Sequence, residues 1–206
     1  DIRLDQFYLP IGNEAGQTVR KRRLANWDAM PLSLAQDSLS GDATGMLIDI
    51  GTGATDSDYA GKDLRGRFVL TSSQPEVVVE RAVGQDGAAG ILSYASNQRS
   101  AWWRQDDRLV RWGHLGSFPQ TKSFAFMISL AEARRLQERM AAGEAIMLHG
   151  KVDASHERGF YRFATARING ADASLAQEEI LFSCHLDHPR PGANDNASGC
   201  VAILEV

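Results

Sequence analysis

The sequence predicts an α/β fold, and three features predict it. Apolar runs of strand length, bounded by turn-forming residues, recur at 46–50, 67–71, 91–94 and 124–128. One helix is fully marked: Ser129 and Glu132 have capping-box spacing, Leu130, Ala133, Leu136 and Met140 fall on one face, and Gly143 is a natural stop. The end of the chain reads as strand, loop and helix, the order in which an open α/β sheet places its chemistry.

Taken in order, residues 1–30 carry short extended signals without a clean period, at Leu4, Phe7, Leu9 and Ile11. The basic tract Arg20-Lys21-Arg22-Arg23 lies between Val19 and Leu24 and reads as the polar side of a strand. The strand at 46–50 is turned by Gly51-Thr52-Gly53, and a polar connector leads to the strand at 67–71. Residues 76–82 read as helical. Gly84, Gly87 and Gly90 then close that helix and open the strand at 91–94, the reverse of the strand-to-helix order of a phosphate loop, so nucleotide binding is not expected. Strand 124–128, the capped helix and an apolar run at 145–152 follow. Residues 158–168 alternate as a strand, Asn169-Gly170 is a hairpin signal, and residues 180–184 form the next strand.

The 206 residues suit one or two domains, and 43% hydrophobic composition is enough for a core. The formal charge of −4 supplies no basic field for nucleic acid. Arginines and tryptophans do interleave from Arg99 to His114, including Trp102, Trp103 and Trp112, but Asp106 and Asp107 dilute them. That tract reads as a loop packed on a neighbouring domain or lining a substrate cleft. No apolar run approaches a membrane span, and no Gly-x-Ser-x-Gly elbow supports a serine hydrolase. Asp1 stands where an initiator Met would, which predicts a processed or excised chain.

The chemistry is concentrated in His185-Leu-Asp187-His-Pro-Arg-Pro-Gly-Ala-Asn-Asp195-Asn-Ala-Ser-Gly199. His185 ends the strand and offers an imidazole. Asp187, two residues on, is placed to hold the other ring nitrogen. Asp195, before the apolar run 200–206, offers a carboxylate able to bridge two cations. Nitrogen and oxygen donors of this kind suit zinc with a position left for water. The remaining histidines, His114, His149, His156 and His188, have no partner pattern, although His188 is near enough to reach a substrate. Asn196-Ala197-Ser198 is formally a glycosylation acceptor, but its place inside this loop argues against modification. Cys184 and Cys200 flank the loop. They read as two small buried thiols, in preference to a disulfide or ligands, and strand alternation puts Cys184 on the face opposite His185.

This stretch resembles the first half of the metal site of the di-zinc aminopeptidases, a family that includes glutamate carboxypeptidases and the catalytically inactive transferrin receptor. The resemblance implies that His185 ligates one zinc ion, that Asp195 bridges two, and that Asp187 is the catalytic-site residue orienting His185. A second resemblance, to the protease-associated domain often inserted in that family, rests on Gly61-Lys-Asp-Leu-Arg-Gly-Arg-Phe-Val-Leu70, on Gly87-Ala-Ala-Gly-Ile-Leu92, and on the strand, helix and strand from Phe124 to Val152. The implied layout is an N-terminal segment 1–35, a β-rich protease-associated-like domain 36–153, and the start of a mixed-sheet zinc exopeptidase domain 154–206.

The resemblance further implies hydrolysis of N-terminal peptide bonds by a di-zinc-activated water, a peptide as substrate, and a secreted or periplasmic location. The general-base glutamate and the other metal ligands are expected beyond Val206, so the 206-residue chain alone is expected to be inactive. The alternatives are a non-catalytic relative serving as an interaction module, and a carboxypeptidase on the same scaffold. The sequence is silent on side-chain preference and oligomeric state.

Overall fold

The computed structural model describes residues 3–8, 21–95, 107–116, 120–160, 162–188 and 192–205. The chain divides into two compact units, Asp1–Glu157 and Arg158–Val206.

The first unit is built on a mixed sheet of seven strands: β1 (Arg3–Tyr8), β2 (Lys21–Asn26), β3 (Gly41–Asp49), β4 (Phe68–Thr71), β5 (Gly90–Ser93), β6 (Ala125–Met127) and β7 (Ile146–Val152). The order across the sheet is β2-β1-β7-β3-β4-β5-β6. β3, β4, β5 and β6 run parallel to their neighbours in that half, while β7, β1 and β2 are antiparallel additions. The first 35 residues thus contribute two strands to the same sheet. In β2, Arg22 and Arg23 are exposed and Ala25 is buried, so the described part of the basic tract is the solvent side of a strand.

Parallel strands covered on both faces bury every residue, and β4 and β5 do so throughout. Alternation divides them between two cores. Phe68, Leu70 and Leu92 join Phe124, Phe126 and Leu136 on one side. Val69 and Ile91 join Ile50, Tyr59, Leu64 and Val78 on the other. The first core is covered by α3 (Leu130–Ala141), whose Ala133 and Leu136 are fully buried. Ser129 caps that helix, its Oγ accepting from the Glu132 N–H at 3.2 Å, and Gly143, at φ +84°, lets the chain leave it. The second core is covered by α1 (Asp56–Tyr59) and by α2 (Pro75–Val78), which continues as a wider turn through Val79–Gln85.

The arginine- and tryptophan-rich tract is described from Asp107, and Trp102 and Trp103 lie outside the described residues. The described part makes contacts within its own unit. His114 accepts from the Glu76 N–H at 3.1 Å through its carbonyl, its ring Nδ1 is 3.1 Å from Glu76 Oε2, and Trp112 stacks on that ring.

The second unit departs from expectation. Neither 158–168 nor 180–184 is a strand among the described residues, and Asn169-Gly170 does not turn a hairpin. An apolar run becomes a strand only when a neighbour accepts its ladder hydrogen bonds, and here none does. Phe160, Ile168, Ile180 and Leu181 are correspondingly exposed, each by more than four-fifths. An ion pair, Arg167 to Glu179 at 3.1 Å, joins the first run to the residue just before the second. The unit ends in α4 (Ser198–Leu204), preceded by a wide turn over Ala193–Ala197. Among the described residues no helix is long and apolar enough to cross a membrane.

Candidate metal centre

His185 and Asp195 come together. His185 Nε2 lies 3.0 Å from Asp195 Oδ1. Asp195 occupies a break in the helical path, at φ −122° and ψ 88°, with Asn196 also non-helical and the peptide bond between them cis. The apolar residues of α4 begin only after this break.

His185 Nδ1 is 2.9 Å from the backbone carbonyl of Asp187, while the Asp187 carboxylate stands further off, at 3.6 Å. The expected orienting residue is therefore in place, but its main-chain oxygen makes the closer contact. A carbonyl can only accept, so Nδ1 carries the proton and Nε2 is the ring's free lone pair. Two lone pairs do not approach to 3.0 Å unaided. The Nε2 and Asp195 oxygens meet through a proton or through a cation.

The proton case has a measurable signature. The Asp187 carbonyl is the largest influence raising the His185 imidazole above its ordinary value of 6.5; desolvation opposes it, and the Asp195 and Asp187 charges add to it. The cation case fits equally. Tetrahedral zinc with ligands at about 2.0 Å keeps them roughly 3.3 Å apart, close to the observed separation. His188, which the sequence left without a partner, places Nε2 3.9 Å from the second oxygen of Asp195. Among the described residues no group of three or more His, Cys, Asp or Glu side chains is placed to hold a metal ion.

The two cysteines are not free thiols. Cys184 and Cys200 form a disulfide, with Cα atoms 5.3 Å apart. The alternation argument failed because residue 184 is not in a strand, which frees its side chain to turn toward α4. The sequence signal was present, since both cysteines border the motif, but spacing alone does not distinguish a bond from two thiols.

The chain thus carries a mixed sheet and, in its second unit, a loop of nitrogen and oxygen donors. Residues 164–206 match the model of peptidase family M28. No curated protein matches the chain. Among solved structures, an aminopeptidase from Aneurinibacillus sp. strain AM-1 is similar at 24% identity and a TM-score of 0.50, over 74% of this chain and 30% of that one. A peptidase M28 precursor from Shewanella amazonensis SB2B gives 12% identity and a TM-score of 0.49, over 74% and 34%. BSAP, a zinc aminopeptidase from Bacillus subtilis, gives 16% and 0.45, over 73% and 30%. The chain thus spans about a third of the length of these structures.

Proposed function

We propose that this chain is part of a zinc-dependent exopeptidase, an aminopeptidase that hydrolyses N-terminal peptide bonds. The observation that carries the reading is the pairing of His185 Nε2 with Asp195 Oδ1, with Nδ1 turned to the Asp187 carbonyl. The match of residues 164–206 to peptidase family M28 supports it. In this reading His185, through Nε2, and Asp195, through its carboxylate, would help hold two zinc ions. Asp187 fixes the tautomer and the ring orientation. Zinc, when bound, lowers the pKa of a coordinated water and polarises the scissile carbonyl.

The protein side of the chemistry is then a matter of presentation. The Asp187 carbonyl holds a proton on Nδ1, so Nε2 is the ring nitrogen turned toward Asp195 and would be the one offered to a metal. The break at Asp195 frees its carboxylate from the helix and holds it against the imidazole. His188 stands beside the second oxygen, within reach of a substrate group bound there. The base that takes the proton of water is none of these residues; by resemblance it is a glutamate beyond Val206. We also propose that residues 36–153 are a protease-associated-like insert, on the order β4, β5, β6, α3, β7, with β1 and β2 from the first 35 residues completing its sheet. A secreted or periplasmic location is supported by the disulfide.

The test is turnover of aminoacyl chromogenic substrates by the full-length protein. Activity should disappear on chelation and return with zinc, and the 206-residue chain alone should be inactive. Chelator-insensitive turnover, or robust turnover by the 206-residue chain, would refute the assignment.

A further inference from the structure

We infer that the Cys184–Cys200 disulfide is a positioning device for the metal ligands, and that the affinity of this site for zinc depends on its redox state. The inference rests on the metal reading above and extends it.

The bond closes a ring of main chain, and the described residues of the candidate site lie inside that ring. Cys184 immediately precedes His185. Cys200, buried in the first turn of α4, follows Asp195. His185, Asp187, His188 and Asp195 all fall between the two bridgeheads. The segment bearing His185 has no ladder of its own, for no residue from 176 to 188 is in a strand or helix. Its described ties to the Asp195 segment include the disulfide and the contacts of His185 and His188 with Asp195.

Those two kinds of tie respond differently to a metal. A cation entering between His185 Nε2 and Asp195 Oδ1 replaces their direct contact. The imidazole–carboxylate pairing therefore cannot hold the ligands in place while zinc binds. The covalent bond can. It removes from the metal-free state the conformations in which the two segments part, so less freedom is lost when zinc binds. Ligand preorganisation of this kind raises affinity without adding a contact.

Reduction reverses it. A dithiol supplies two electrons and two protons, the Sγ–Sγ bond breaks, Cys184 and Cys200 become thiols, and the dithiol closes to its own disulfide. The loop ends are then free to separate. The site is fully formed only where disulfides persist.

The experiment measures zinc affinity, by competition with a chromogenic chelator, on the full-length protein. It compares the oxidised wild type, the protein reduced and alkylated, and a C184S/C200S variant. The serine variant is needed because free thiols are themselves zinc ligands. Circular dichroism at the assay temperature confirms that each form is folded. The expected result is a loss of about ten- to a hundredfold in affinity in both disulfide-free forms, the range seen when an orienting partner of a metal ligand is removed. A purely structural bond would lower the melting temperature and leave the affinity of the folded protein alone, so equal affinities in the three forms overturn the inference. If the oxidised protein binds no zinc, or binds it as well after His185→Ala, the metal reading falls and the inference falls with it.

Discussion

His185 and Asp195 stand 3.0 Å apart, Nε2 to Oδ1, although a proline-rich loop separates them in sequence. The same imidazole is held from behind by the Asp187 carbonyl at 2.9 Å. The geometry makes Nε2 available to one thing at a time, a proton or a metal ion. That exchange underlies the first prediction.

In the full-length protein, His185→Ala and Asp195→Asn should each abolish high-affinity zinc binding. Asp187→Asn should cost less. It keeps the carbonyl that contacts Nδ1 and loses only the carboxylate at 3.6 Å. Removing orienting partners costs about ten- to a hundredfold in metal affinity, and this variant belongs at the low end. Chelator competition measures all three. A loss on Asp187→Asn as large as that on His185→Ala would show that the carboxylate, not the carbonyl, does the orienting.

Gly45 packs where no side chain fits. A Cβ there would lie 2.2 Å from the Gly66 carbonyl oxygen and 3.2 Å from the Arg67 Cα, both main-chain atoms that cannot turn aside. Gly45→Ala should therefore destabilise the first unit by about 1–3 kcal/mol, the usual cost of overpacking. Gly159→Ala, with nothing within 4 Å, is the control. Urea unfolding should separate the two, and equal midpoints would contradict the packing of β3 on the turn before β4.

Ser129→Ala removes the acceptor for the Glu132 N–H at the start of α3. The expected loss is about 1 kcal/mol, and Ser129→Asp should restore most of it. The same unfolding measurement reads both variants. No loss in the alanine variant would mean that water replaces the cap without penalty.

Asp58 gathers the loop after β3. Its carboxylate accepts from the Thr52 hydroxyl at 2.7 Å and from the Ala54 and Thr55 N–H groups at 3.1 Å each. The Thr52 hydroxyl first, then the Thr55 N–H, hold its carboxyl below the ordinary value of 3.8. A carboxyl depressed by folding contributes stability above its unfolded value and loses it as pH falls through the folded value. Asp58→Asn should therefore melt below the wild type at neutral pH. The gap should start to close as pH falls below about 3.8, the ordinary carboxyl value. A gap that stays constant through that window would assign the effect to geometry rather than charge.

Much of the first unit was legible because its signals are local. The capping box, the apolar face of α3, the glycine stop and the strand-length runs of β4, β5 and β6 depend on residues within a few positions of one another. The candidate site stood out for a related reason: His185, Asp187 and Asp195 belong to one uninterrupted motif, and a short loop brings His185 and Asp195 together. The sequence by itself thus named the candidate site residues, and determined the α/β class of the sheet that precedes them.

Three things were decided only in three dimensions. β1 pairs with β7 across more than a hundred residues of intervening chain and carries β2 on its other edge, a pairing that no local pattern encodes. The runs at 158–168 and 180–184 have the alternation of strands yet are not strands, because a strand exists only through hydrogen bonds to another segment. Cys184 and Cys200 look alike as bonded or free residues in sequence, and their Cα separation of 5.3 Å is what permits the bond. Local chemistry chose the residues; contacts between distant segments chose the pairings, because their energy depends on which partner arrives and not on the residue alone.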